Sequence, residues 1–199
     1  MKRATFLMLW ASLALALTGF PGAGADTYPM EITGVADTAD YPVSTAGFER
    51  VSIYHYGPGN ADISVGYNML TPETQIVSTI YITNASVFPG LLNEQDPLGA
   101  LFGAYKAGVL EYHPGGQLLG EDSVTLTKNG KQYNALRVIF RYDEDFQSKR
   151  QPVYSVMMLW RNGDDFIKLR STGPLAQSNL SESNNMNLLD AVNWTTPPV

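Results

Sequence analysis

Apolar residues recur at every second position over long stretches of this chain, and the stretches are separated by turn-forming dipeptides. Phe48 to Tyr56 sets Val51 and Ile53 against Arg50, Ser52, Tyr54 and Tyr56. Asp62 to Met69 carries Ile63, Val65, Tyr67 and Met69 in phase, and Gln75 to Thr83 carries Ile76, Ile80 and Ile82. A period of two is the mark of a strand with one face in a core. Gly57-Pro58-Gly59-Asn60 predicts a turn between the first two strands, and an edge strand is expected near Met30 to Val35. Farther along, Leu118 to Thr127 and Gln132 to Tyr142 flank Asn129-Gly130, a dipeptide suited to the positive φ angles of a tight hairpin. In the second of these strands Leu136, Val138, Phe140 and Tyr142 oppose Tyr133, Arg137, Ile139 and Arg141. Asp143 to Arg150 reads as a charged connection. The last hairpin, Gln151 to Ser171, is expected to turn at Asn162-Gly163. Its first arm is apolar on both faces, as a central strand covered on both sides would be. Its second arm alternates Ile167 and Leu169 with Phe166, Lys168 and Arg170.

The period changes to a helical one at Asp96-Pro97, an N-cap residue followed by the residue preferred at the first helical position. Leu98, Leu101, Phe102, Tyr105, Val109 and Tyr112 make the apolar stripe, and Pro114-Gly115-Gly116 ends it. Gly99, Gly103 and Ala107 form a second line, which predicts close approach of this helix to a sheet. Ser183 to Trp194 predicts a weaker amphipathic helix through Met186, Leu188, Leu189 and Val192.

The order is three strands, a helix, four strands and a helix, with hairpins dominating. It predicts an α+β fold, a mainly antiparallel sheet of about six to seven strands with two helices packed against it. In this order of elements, the run from Phe48 to Arg170 resembles the Mog1/PsbP-like fold, and the chain is similar to uncharacterised exported bacterial proteins of its size. The resemblance implies an accessory or binding role and supplies no catalytic residue.

Composition changes the picture in three ways. Met1-Lys2-Arg3, the apolar run Ala4 to Leu17 and Ala23-Gly24-Ala25 have the layout of a signal peptide cleaved after residue 25. The run is too short for a span of about 20 apolar residues, so no membrane span is expected after cleavage, and the protein is expected to be periplasmic or extracellular. An extended arm, 26–47, would precede one domain, 48–194, and residues 195–199 would fray. Two of the thirteen basic residues fall in the leader and all nineteen acids after it, leaving the mature chain at −8. That balance speaks against nucleic acid, whose affinity comes from phosphate neutralisation. There is no cysteine, and the 174 residues that remain suffice for a core without disulfides.

Candidate chemistry is sparse. Two isolated histidines without cysteine give no metal-ligand set, and no cofactor is expected. His55 or His113 could serve a hydrolase, but no nucleophile-elbow motif accompanies them. Asp143-Glu144-Asp145 and Asp164-Asp165 read as solvated loop carboxylates. If the apolar residues of every strand share one core, the opposite face collects Arg50, Tyr54, Tyr56, Tyr81, Tyr133, Arg137, Arg141, Lys168 and Arg170. Five cations among four tyrosines suit an anionic ligand, since arginine offers a fork of donors and tyrosine a flat amphipathic surface. The expected function is therefore non-catalytic binding of an anionic small molecule or an envelope protein on that face. A hydrolase and a protein adaptor in an envelope assembly are the alternatives.

Overall fold

The structure, a computed structural model, describes residues 30–31 (backbone only), 40–56 and 62–194. The expected signal peptide, most of the arm, the Gly57–Asn60 turn and the 195–199 tail lie outside the described residues. Among the described residues nine strands form one antiparallel sheet: β1 (Met30–Glu31), β2 (Ser44–Thr45), β3 (Phe48–Tyr56), β4 (Asp62–Leu70), β5 (Gln75–Asn84), β6 (Gln117–Lys128), β7 (Lys131–Phe146), β8 (Lys149–Asn162) and β9 (Asp165–Pro174). The helices are α1 (Pro97–Tyr112) and α2 (Ser178–Ala191). Two meanders, β3-β4-β5 and β6-β7-β8-β9, join where β9 pairs with β5. The two-residue strands β1 and β2 both pair with β3, so the sheet exceeds the expected six to seven strands.

Helices cover both faces. On one face α2 closes a core of Ile63, Val65, Ile80, Met158, Trp160, Ile167 and Leu169, completed by Leu188, Leu189 and Trp194. Trp194 meets Trp160 and Tyr133 edge to face, at centroid distances of 5.2 and 4.8 Å. On the other face α1 packs against β7 and β8 over Val138, Phe140, Met157 and Leu159, presenting Leu101, Phe102 and Val109. Cross-strand partners such as Ile80 and Leu169 are fully buried, each contributing about 2 kcal/mol. The strand β8 lies inside the sheet and is buried on both faces, which is why its sequence has no polar side.

Local chemistry explains most boundaries. The Asp96 carboxylate accepts from the Gly99 amide, capping α1. At the β6–β7 turn both Asn129 and Gly130 take positive φ, the type I′ pattern. Four expectations need correction. The Asp143–Arg150 connection is strand: β7 runs to Phe146, which is buried, and the turn is made by Gln147 and Ser148 at positive φ. Those residues carry no glycine signal, so the turn was invisible in the pattern. The last hairpin turns at Gly163-Asp164, since Asn162 pairs with Asp165 and only Gly163 has positive φ, as in a type II′ turn. The second helix begins at Ser178, five residues before its apolar pattern becomes visible. The Gly99-Gly103-Ala107 line does not face the sheet: a Cβ on Gly103 would meet nothing within 4 Å, and one on Gly99 would meet its own cap, Asp96.

Candidate anion-binding site

The nine residues expected on one face divide between two. Laterally paired residues point to the same side of a sheet. Tyr54, Ser64, Tyr81, Lys168 and Leu159 form one continuous cross-sheet row on the α1 face. Ser52, Gly66, Thr79, Arg170 and Met157 form the next, and Tyr56 and Asp62 begin a third. Arg137, Arg141 and Tyr133 belong to the α2 face, where Arg137 pairs with Met158 and Arg141 with Tyr154. Because both faces are covered by helices, apolar residues mark no single side, and the one-core assumption fails on β7.

Arg50 also departs from Tyr54 and Tyr56, for a local reason. The β3–β4 register shifts between Arg50 and Ser52, so Val51 bulges out, exposed, and the facing of the strand reverses. Arg50 then lies with Tyr67 on the α2 side and donates to the Tyr41 carbonyl, tying down the strap that precedes β2. Arg137 is engaged as well. Its Nε and Nη2 hold both oxygens of Asp122 at 2.8 and 2.6 Å, and its Nη1 reaches Glu182 of α2. This fork clamps β6, β7 and α2 together and holds the Asp122 carboxyl below the usual range. Arg141 is exposed.

Lys168 and Arg170, two residues apart on β9, remain on the α1 face with an environment unlike a solvated sheet. The Lys168 ammonium lies 4.0 Å from the Tyr81 ring centroid and 3.8 Å from that of Tyr105, which α1 brings over it. Lys168 as a whole residue is half-buried. Burial and then the neighbouring Arg170 charge push it down to about 7, while Asp62 pulls the other way. Burial raises both tyrosines, Tyr81 to about 12. Asp62, on the adjoining row, accepts from Thr83 Oγ1 at 2.7 Å, and burial lifts its carboxyl above the ordinary value.

Arg170 is only 8% exposed. Its Nη2 donates to the Tyr142 hydroxyl at 2.9 Å and its guanidinium lies 5.1 Å from the Phe140 ring centroid. The other two guanidinium nitrogens, Nε and Nη1, have no partner among the described residues although both are buried. Glu144 Oε2 is a buried acceptor without a partner among the described residues, and burial raises its carboxyl while Arg170 opposes the rise. His113, at the C-cap of α1, stacks on Tyr142 at 3.6 Å and 18°. Burial, Arg170 and Arg150 push it down to about 4, so it is neutral at ordinary pH. His55 pairs with Ile63 and so lies on the opposite face, and the two histidines form no common site.

A buried guanidinium is permanently charged, and donors left unpaired there cost about 1–3 kcal/mol or more each. Among the described residues neither Lys168 nor Arg170 makes an ion pair with a carboxylate. A buried donor without a protein partner calls for an ordered water or an ion to satisfy it. Tyr105, Tyr142, His113, Asp62 and Glu144 complete the neighbourhood. Of these the sequence singled out only His113, and for hydrolysis; Tyr105 and Tyr142 sit in phase with apolar stripes and the carboxylates adjoin turns. No group of three or more His, Cys, Asp or Glu suited to a metal ion occurs among the described residues. None of the described helices is long and apolar enough to cross a membrane.

No family model matches this chain, and no curated protein matches it. Among solved structures it is similar to PA94 of Pseudomonas aeruginosa, described as a protein of unknown function and a candidate regulator. That likeness has a TM-score of 0.45 at 11% identity and covers 75% of this chain and 91% of that one. It does not extend to function.

Proposed function

We propose that this protein is an exported, non-catalytic binding domain that takes a small anionic ligand at Arg170 on the α1 face, with Lys168 as the second cation. The observation that carries the reading is the buried Arg170 guanidinium with Nε and Nη1 unpartnered among the described residues. An anion would satisfy both donors and offset the charge on the two neighbouring cations. The row beside Arg170 is made of Ser52, Gly66 and Thr79, side chains small enough to leave a low surface next to the guanidinium. Tyr54 and Tyr56, partly exposed at the end of the sheet, border the same face. Arg50, Arg137 and Arg141 have no part in this smaller site. The resemblance to the Mog1/PsbP-like fold fits an accessory role of this kind.

The test is calorimetric titration with acetate, phosphate and sulfate of the wild-type chain and of Arg170→Gln. The reading expects binding of at least one of these anions that Arg170→Gln abolishes. Equal binding by a folded Arg170→Gln variant would overturn it. A second reading, a protein adaptor, draws on the far corner of the sheet. There β6 is the edge strand of the described sheet, and Tyr112, Leu118 and Leu119 are each exposed, at 53%, 43% and 50%. Stoichiometric co-purification of one envelope protein, lost on Leu118→Asp, would favour it.

A further inference from the structure

Lys168 is an odd residue for simple electrostatic capture. Its amine is enclosed by two tyrosine rings, makes no ion pair among the described residues, and has a permanently charged guanidinium two residues away. Desolvation and a cationic neighbour are the two circumstances that turn a lysine into a nucleophile, because each disfavours the ammonium and frees the lone pair. Lys168 as a whole residue is half-buried rather than sealed inside the core.

We propose that Lys168 condenses reversibly with a short oxo acid, an aldehyde or ketone that carries a carboxylate, while Arg170 holds the carboxylate. This rests on the Arg170 reading and adds a covalent step to it. Successive same-face residues of a strand lie about 7 Å apart, so a ligand of a few carbons reaches from one group to the other. Glu144 and Asp62 offer no competing ion pair to either cation.

The chemistry balances without any further reagent. The nitrogen lone pair forms the C–N bond as the carbonyl π pair moves onto oxygen, and a proton passes from nitrogen to that oxygen. The resulting carbinolamine loses its hydroxyl, which leaves as water with one proton taken from solvent. The product is an iminium whose single positive charge replaces that of the ammonium. Asp62, whose charge acts on Lys168, stabilises it, and the faces of Tyr81 and Tyr105 receive it as they receive the ammonium. Addition of water reverses each step and releases the ligand.

Trapping tests the step directly. The purified chain is incubated with glyoxylate, pyruvate or uncharged acetaldehyde in the presence of cyanoborohydride, which makes the imine permanent, and the adduct is mapped by peptide mass. The proposal expects one adduct, at Lys168, formed about tenfold faster than at the exposed Lys131 and Lys149. It expects Lys168→Met to lose that adduct and Arg170→Gln to lose the preference for glyoxylate over acetaldehyde. Adducts spread over Lys131 and Lys149 with Lys168 unmodified would overturn it, and the wild-type map alone decides this if a variant fails to fold. Acetate binding separates the two layers. If acetate binds through Arg170 but Lys168 is never trapped, the covalent step falls and the anion site stands. If Lys168 is trapped with acetaldehyde and glyoxylate equally and acetate does not bind, the carboxylate role of Arg170 falls, and the oxo-acid proposal with it.

Discussion

Replacing Lys168 with methionine should stabilise this protein, and by an amount that depends on pH. Methionine has nearly the reach of lysine and fills the same space between Tyr81 and Tyr105 without a charge. Burial and Arg170 lower the amine from 10.5 to about 7. At about 1.4 kcal/mol per unit, keeping it protonated in the folded chain costs roughly 5 kcal/mol. The two ring faces return about 1 kcal/mol each, leaving about 3 kcal/mol. The sign follows from proton counting. The unfolded chain keeps the lysine proton up to pH about 10.4, whereas the folded chain gives it up through about 7. Between those values the unfolded state binds more protons, so wild-type stability rises with pH. The window closes near pH 10, because burial raises Tyr81 and Tyr105 and what they contribute is lost as pH passes their unfolded value. Lys168→Met should therefore gain about 3 kcal/mol at pH 6 and almost nothing at pH 10. Urea unfolding followed by the fluorescence of the buried Trp160 and Trp194 measures it. Parallel stabilities of the two chains from pH 6 to pH 10, or a loss at pH 6, would refute the reasoning.

Other substitutions separate structural from binding cations. Arg137→Met should cost about 1 kcal/mol or less in urea unfolding, because Asp122 and Glu182 are well exposed, and should leave anion titrations unchanged. Gly173→Ala should cost about 1–3 kcal/mol, because its Cβ would stand 2.6 Å from the Gln75 carbonyl oxygen, which the β-sheet holds in place. Gly103→Ala should gain up to about 1 kcal/mol, since the added methyl meets nothing and a glycine inside a helix is removed. His113 is lowered to about 4 in the folded chain from 6.5, so its contribution is present above 6.5 and lost as pH falls towards 4. His113→Phe, which keeps a ring against Tyr142, should flatten that acid limb in unfolding curves taken between pH 6.5 and 4.

The division of the basic residues shows where pattern reading stops. Alternation along β9 correctly placed Lys168 and Arg170 together against Ile167 and Leu169. Combining strands failed, because which side of β7 matches which side of β9 depends on pairings some thirty residues apart in sequence. A bulge at Val51 then reversed part of β3 with nothing in the residues to announce it. Tyr105 and Tyr142 looked like core residues and in part are: each packs with its helix or strand while turning a ring or hydroxyl to a buried cation.

From the sequence by itself came most of the longer elements, the antiparallel hairpins, the interior place of β8, the cap at Asp96 and the facing of the last strand. These are legible because side-chain periodicity and turn chemistry act within a few residues of chain. Only the tertiary structure decided that helices cover both faces, that Arg137 is bound to Asp122 and Glu182, and that Arg170 is buried with donors unpaired. Those outcomes follow from register and from the docking of α1 and α2, which bring together residues such as Tyr81, Tyr105 and Lys168 that have no local relation. A lysine in an amphipathic strand reads the same whether water or two tyrosine rings surround it, and its chemistry depends on which.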